Sequence, residues 1–452
     1  MKKTLLIIST ILCTTNVSAL TLNEALEAGY KNNEELKIIR NDFLNEIEKF
    51  PRALADFMPR ISATGSTSNI KNKNRSKLPR VTNGPSTELD SFNKSVTLDQ
   101  PIFNGWSSVS ALRSAQASFR ASRSDYYAKE QENFIKEISV YLECVAAREK
   151  YNISKISVKS NITQLEAMEE KLKLGESTET EVASAREGLA TAEANQALAE
   201  AEFEASKANF YKTFGVEPTE IEMAEVPLDL PKSYEEFLKT SLANNPSVDG
   251  ARHRISSSKA DENAAKGDLL PKVSVRIQGG TTEYKPEQLG SYQNNRSVST
   301  TLSVNVPILN RGGAEYSDIR RAKYQTKRTA IGLDNVIKQI EASTRASWSE
   351  FEASKFRVLA TNQAVRAAEI AYDGMTQEEI LGSKTIIDVL RAEERLNKAR
   401  EVNVEARKAV VLSAYKIKSL MGTVTAKSLK LRVKYFEPEA EFKKAKLKIV
   451  GF

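Results

Sequence analysis

From Trp106 to Leu174 the chain holds no proline or glycine and is rich in Ala, Glu, Lys, Ser and Arg. Uninterrupted, that stretch predicts a helix of roughly 100 Å. Such a length belongs to coiled coils or helical tubes rather than to ordinary globular domains. Gly312 to Leu381 repeats the pattern, with Gly332 and Gly374 as candidate breaks. The helices that follow carry a heptad seam. Val182, Ala185, Leu189, Ala192, Gln196 and Ala199 alternate steps of three and four, and Val389, Ala392, Leu396, Ala399, Asn403 and Ala406 do the same. This spacing predicts left-handed coiled-coil contacts, close because alanine dominates, with Gln196 and Asn403 as polar register markers.

Four segments change period from helical to two. Arg60–Asn69, Ser95–Ile102, Lys272–Gly280 and Ser297–Val306 alternate apolar with polar residues, as in Val273, Val275 and Ile277. That is the strand pattern of an outer-membrane barrel, although a soluble hairpin gives the same signal. Asn69–Asp90 and Glu283–Asn295 read as exposed polar loops between strands. Pro59 and Pro271 mark helix-to-strand junctions, and Pro101 and Pro307 strand-to-helix junctions, since proline stops a helix and caps a strand end. Phe92, Phe103, Tyr284 and Tyr292 lie near strand ends, where an aromatic belt would sit. Four strands cannot close a barrel in lipid, whose minimum is about eight, and open edges are not tolerated there. Membrane-spanning strands would have to be pooled; three chains would supply twelve.

The elements occur twice. Gly175-Glu176-Ser177-Thr178-Glu179-Thr180-Glu181-Val182 returns as Gly382-Ser383-Lys384-Thr385-Ile386-Ile387-Asp388-Val389, a shared G-x-x-T-x-x-[DE]-V. Phe214-Gly215 answers Met421-Gly422, and Leu22-Asn23-Glu24-Ala25-Leu26 answers Tyr234-Glu235-Glu236-Phe237-Leu238. So long a period is a duplicated half rather than a solenoid unit. The expected organisation is residues 1–19 as a leader, 20–214 as the first half, 215–233 as a proline-containing linker, 234–422 as the second half and 423–452 as a basic C-terminal tail, in which the charge run Lys443-Lys444-Ala445-Lys446 reads as a solvated surface segment. The leader rests on Lys2 and Lys3, the short apolar run Leu5–Cys13 and the Val17-Ser18-Ala19 cleavage site. The run is too short for a membrane anchor. Leu12 before Cys13 argues against a lipid anchor, and Phe452 has no strand leading into it.

Composition excludes more than it selects. The formal net charge is +7, with both signs interspersed, which does not suggest a nucleic-acid surface. His253 is the single histidine, and Cys144 is the cysteine remaining after the leader. Zinc sites, Cys–His nucleophiles and Ser–His triads therefore lack material. Neither G-x-G-x-x-G nor G-x-x-x-x-G-K-[ST] is present. No enzymatic activity, cofactor or metal is expected. His253, between Arg252 and Arg254, reads as a surface helix residue, and Cys144 as a small packed side chain.

The L-x-x-A-L opening, the pairs Asn32-Asn33 and Asn244-Asn245, the junction prolines and both G-x-x-T-x-x-[DE]-V elements resemble the TolC family of outer-membrane efflux ducts. The resemblance covers roughly Leu20 to Gly422. It implies a mixed, mainly α fold, in which a trimer pools four strands per chain into a twelve-stranded outer-membrane β-barrel. A long periplasmic α-helical barrel with coiled-coil tips continues it. It further implies partners: outer-membrane lipid, a periplasmic adaptor and an inner-membrane pump of ABC, RND or MFS type, serving drug efflux or type I protein secretion. The other reading, a periplasmic coiled-coil adaptor or scaffold, fits poorly with two hairpins and four barrel-like strands.

In that family a tyrosine, an arginine and two aspartates of the second hairpin constrict the pore entrance, and an aspartate of the first hairpin pairs with the arginine. The matching positions here are Glu379, Lys384, Asp388, Arg391 and Glu181. Asp388 is identical, Glu181 and Lys384 keep the charge sign, and Glu379 and Arg391 depart from the pattern. The resemblance implies a gate contact of Lys384 with Glu181, and the opposite charges of Glu379 and Arg391 make them a second candidate pair. A ring of Asp388 would favour cations, and Arg391 would weaken that preference. The same acids also have capping-box spacing from Thr178 and Thr385, while Gly175 and Gly382 suit the left-handed end of the preceding helix.

Overall fold

The structure is a computed structural model that describes residues 20–72, 87–286, 293–309 and 311–448. The leader, Tyr292, Asn310, Phe452 and most of the two polar loops lie outside the described residues. In chain order the elements are α1 (Leu22–Asn32), α2 (Glu34–Ile47), α3 (Lys49–Ala55), β1 (Arg60–Asn72), β2 (Thr87–Asn104), α4 (Ser107–Lys173) and α5 (Glu179–Phe214). The second half follows as α6 (Tyr234–Asn244), α7 (Pro246–Gly267), β3 (Lys272–Pro286), β4 (Gln293–Asn305), α8 (Ala314–Ile380) and α9 (Ile386–Leu420), and α10 (Pro438–Leu447) is the last element among the described residues. Gly332 and Gly374 do not break α8; the i→i−4 ladder carries an isolated glycine at a cost of about 1 kcal/mol.

The chain forms two compact units, each drawing on both sequence halves. One comprises Asp42–Asp125, Asp249–Val336 and the C-terminal Glu437–Phe452. Its sheet is antiparallel in the order β1-β2-β3-β4. Residues directly opposite one another share a face, so the register sorts the side chains. One face carries Ile61, Leu98, Ile277, Val298, Leu302 and Val304; the other carries Ser62, Thr97, Gln278, Ser299 and Ser303. Tyr284 falls on the polar face, opposite Gln293, and so does not join an aromatic belt with Phe92. All four strands extend past their expected loop-side ends, into segments read as loops. Backbone pairing continues there although both faces have become mainly polar, Ile70 opposite Leu89 being an exception, which weakens the alternation that marks a strand.

Pro101, expected at a junction, lies inside β2, where the register slips between Pro101 and Phe103. Proline has no N–H to give the ladder, so the slip falls where a donor is missing. The turn into α4 is made by Gly105 and Trp106, both with positive φ (59° and 66°). A Cβ on Gly105 would meet the Gly267 carbonyl oxygen at 2.2 Å, so only glycine fits. His253 is half-buried, 3.5 Å from Asp249.

The other unit comprises residues up to Asn41, Tyr126–Val248 and Ile337–Phe436. Leu26, Phe134, Ile138, Phe210, Phe237 and Ile417 are among the fully buried side chains of its core, and Cys144 is buried with them. The paired asparagines act as clasps. Asn32 Nδ2 donates to the Phe214 carbonyl at 2.9 Å, and Asn245 Nδ2 to the Leu420 carbonyl at 3.0 Å, each satisfying a helix end.

The tail beyond Gly422 contributes side chains to both units. Val424, Ala426 and Leu431 fill the core, and the Phe436 N–H donates to the Tyr30 hydroxyl at 2.9 Å. In the sheet-bearing unit Phe442 of α10 stacks on Phe119, with ring centroids 3.6 Å apart. Lysines dominate the tail's composition, and Lys443 and Lys444 are exposed, while Phe442 and Ala445 beside them are buried.

Two acids are buried in the helical core. Glu137 accepts from Asn33 Nδ2 and Asn133 Nδ2, both at 2.7 Å, while its Oε2 has no hydrogen-bond partner among the described residues. Gly29 makes room for this carboxylate, since a Cβ there would stand 3.0 Å from it. Glu130 accepts from the Tyr126 hydroxyl at 3.1 Å. Burial pushes both carboxyls up to about 7, with Glu35 and Glu130 adding to the rise at Glu137, and Arg40 opposing it at Glu130. A raised carboxyl contributes its full stability below its unfolded value, near 4.3, and loses that contribution as pH rises through about 7. Glu137→Gln should therefore raise stability near pH 8 by at most on the order of 3 kcal/mol, with a higher thermal midpoint, and leave both almost unchanged near pH 5. Circular-dichroism melts at the two pH values test this; an equal effect at both would show that the carboxyl does not titrate in this range.

Candidate pore-end site

The two G-x-x-T turns join α4 to α5 and α8 to α9. Gly175 and Gly382 adopt φ of 80° and 77°. Around each, the next N–H reaches back over the turn: Glu176 to the Lys171 carbonyl at 2.8 Å, and Ser383 to the Glu378 carbonyl at 2.9 Å. This is the Schellman arrangement. Thr178 is the N-cap of α5, and its N–H and hydroxyl donate to Glu181 Oε2 at 2.9 and 3.1 Å. Thr385 is the N-cap of α9 and donates likewise to Asp388 Oδ2 at 3.2 and 3.0 Å. The backbone N–H of Thr178 holds Glu181 below its ordinary range, helped by Ser177 and, more weakly, by Lys171. The backbone N–H of Thr385 does the same for Asp388, helped by its hydroxyl and by the charges of Lys384 and Arg391. Both acids are thus kept charged at helix starts, where the dipole also favours them.

Among the described residues no hydrogen bond or ion pair within one chain joins Lys384 to Glu181, or Glu379 to Arg391. Glu379 instead pairs with Lys171 of α4 at 2.6 Å. That contact links the first hairpin to the second, and the Glu379 side chain is only 15% exposed. Beneath it lies an apolar layer of Met168, Val182, Ala185, Ile386 and Val389. The heptad seam supplies three of these residues. Farther along, Asn403 Nδ2 donates to Asn362 Oδ1 at 2.7 Å, so the polar seam residue of α9 reaches α8.

A polar layer follows the apolar one. Glu393 of α9 is 5% exposed. Its Oε1 accepts from Asn161 Nδ2 at 3.2 Å and from the Ser157 hydroxyl at 3.3 Å, and its Oε2 from Gln164 Nε2 at 2.9 Å. The Tyr372 hydroxyl is 3.1 Å from Ser160 Oγ, and Asn397 Nδ2 donates to Ser157 Oγ at 3.0 Å. Burial pushes the Glu393 carboxyl up, against the lowering pull of Gln164, Ser157 and Ser160. Gly188 allows the close approach, since a Cβ there would stand 3.0 Å from Asn161 and Leu390 atoms. Beyond this layer Lys150 meets Glu405 at 2.7 Å and Arg407 pairs with Glu149, continuing the α4–α9 seam. Sequence reasoning did not single out Lys171 or Glu393. The available signal was slight: Glu393 directly follows the seam residue Ala392.

The arrangement binds two hairpins together and offers no chemistry of bond making. No group of His, Cys, Asp or Glu among the described residues could hold a metal ion. The family model for outer membrane efflux proteins matches residues 52–216 and 237–423. The outer membrane efflux protein BepC of Brucella suis is 26% identical, over 95% of this chain and 91% of its own. The alkaline protease secretion protein AprF of Pseudomonas aeruginosa is 20% identical, over 76% of this chain and 72% of its own. Among solved structures, the CmeC outer membrane channel of Campylobacter jejuni shares the fold with a TM-score of 0.77 and 16% identity, over 95% of this chain and 90% of that one. The family match takes in the sheet, both long hairpins and both capped turns, and the chain belongs to the outer membrane efflux protein family.

Proposed function

We propose that three copies of this chain pool their sheets into a twelve-stranded barrel in the outer membrane. Their hairpins 107–214 and 314–420 then form a duct through the periplasm that constricts at the capped turns. The observation that carries this reading is the sheet itself. One face is apolar and exposed, with Val298 80% and Ile61 70% accessible, and the opposite face is polar throughout its middle rows. Such a sheet fits lipid on one side and a water-filled lumen on the other. The duct would move small molecules or proteins by docking to a periplasmic adaptor and an inner-membrane pump of ABC, RND or MFS type. The similarity to BepC favours efflux, and that to AprF favours protein secretion. The test is single-channel recording of the full-length protein in a planar bilayer, with its oligomeric mass measured in parallel. A trimer of small, steady conductance supports a constricted duct. A monomer without conductance would overturn it.

The hairpin contacts set the gate in this reading. Lys171–Glu379 is partly exposed, and such a pair holds about 1 kcal/mol. Glu379→Gln should therefore shift the open population about fivefold and raise the mean conductance. Unaltered conductance would remove this pair from the gate. Glu393→Leu leaves Asn161, Gln164 and Ser157 without their acceptor, at a cost of about 1–3 kcal/mol. It should open the duct more than Glu379→Gln does, and the reverse order would place Glu393 outside the closing contacts. Lys384→Gln is also expected to raise conductance, which would put its acidic partner on a neighbouring copy, because Glu181 is engaged with Thr178 inside its own chain. No change would remove Lys384 and Glu181 from the gate.

A further inference from the structure

We propose that the outer face of the sheet carries a binding site for the phosphate-bearing headgroup of a membrane lipid, formed by Lys94 and Arg296 above a hollow floored by Ala63, Gly65 and Gly279. This rests on the reading that the apolar face meets lipid. The register places Gly65, Lys94, Thr281 and Arg296 in one row across all four strands. The next row of the same face, toward the helices, is Ala63, Val96, Gly279 and Val298. The three small residues leave an open hollow of about 620 Å³ between these rows, with the two cations on one rim and Val96 and Val298 on the other.

The position fits an interface. Val273 to Thr281 rises about 27 Å along β3 at ~3.3 Å per residue, and a tilt of about 40° reduces that to ~21 Å across the bilayer, close to the ~25 Å apolar band of such barrels. Below the cationic row this face is mainly Val, Leu and Ile. Above it come Thr67, Phe92, Glu283 and Asn294. The two cations therefore stand where hydrocarbon gives way to headgroups on the side away from the helices.

Neither makes a hydrogen-bonded ion pair with a described residue. Arg296 makes no ion pair with any described residue. Lys94 lies 3.8 Å from Glu283, beyond hydrogen-bond distance, with its ammonium 4.7 Å from the Phe92 ring centre. On the polar face, by contrast, Arg276 donates to Asp99 at 2.7 Å across β2 and β3. Lys94 and Arg296 are two strands apart, about 10 Å between backbones, within reach of one anionic headgroup for two long side chains. A phosphate removes their mutual repulsion, and an acyl chain fits the apolar part of the hollow. A lipid supplies both chemistries, while a free anion supplies one.

The test places the full-length protein in nanodiscs of phosphatidylcholine, with or without bisphosphorylated lipid A, and counts retained lipid by native mass spectrometry. Wild type should retain lipid A, Lys94→Gln/Arg296→Gln should bind it about tenfold more weakly, and Lys94→Arg should restore retention. Equal retention by wild type and the double variant would overturn the site. Displacement by inorganic phosphate alone would reveal a free-anion site and overturn the lipid assignment. Conductance recorded on the same preparation separates the two readings. A conducting protein that retains no lipid A loses only this site, whereas failure to insert overturns the membrane reading beneath it.

Discussion

In hydrocarbon, a backbone N–H or C=O that finds no partner costs several kilocalories per mole. A sheet ordered β1-β2-β3-β4 has an outer edge on β1 and another on β4. That single fact governs the rest of the molecule. In the proposed barrel it makes a lone copy unfit for lipid and makes closure with further copies the route to a stable state. The duplicated chain serves closure well, because each half contributes one hairpin, and β2 and β3 already pair across the halves. Side-chain alternation follows from the same need: once the ladder is closed, one face must tolerate acyl chains and the other water.

At the far ends of the long helices the balance of forces is different. The order of the capped turns comes from local hydrogen bonds and from the alternating apolar and polar layers between the hairpins. The apolar layer of Met168, Val182 and Ile386 gives attraction without direction. The Glu393 layer adds direction, because its donors come from α4 while the acceptor stands on α9. Buried polar groups of this kind are costly when half satisfied, which suits a contact that is either fully made or fully broken.

Much of this was legible in the sequence because it is local. The capped turns follow from Gly175, Thr178 and Glu181 within a few residues, and the seam phase from Val182 to Ala199. Duplication made each reading twice as strong. The contacts that join separate helices were not legible. Lys171 and Glu379 belong to different halves, and nothing near either residue announces the other. The outer ends of the strands were hidden because both faces turn mainly polar there. In the tail the charge run hid its partners: Lys443 and Lys444 are exposed, while Phe442 and Ala445, spaced by one helical turn, carry the packing. Pro101 misled by looking like a boundary when it marks a slip in register.

The filling of the helical core by Val424, Ala426 and Leu431 has a consequence for how the molecule is made. That core begins with Leu22 and is not complete until Leu431 has joined it. A polypeptide delivered from its N-terminus can build α1 and the β1–β2 hairpin early, but it cannot seal the unit until nearly the whole length has been delivered. Contacts of such large sequence separation fold slowly. The segment around Leu431 is thus the one that completes this unit.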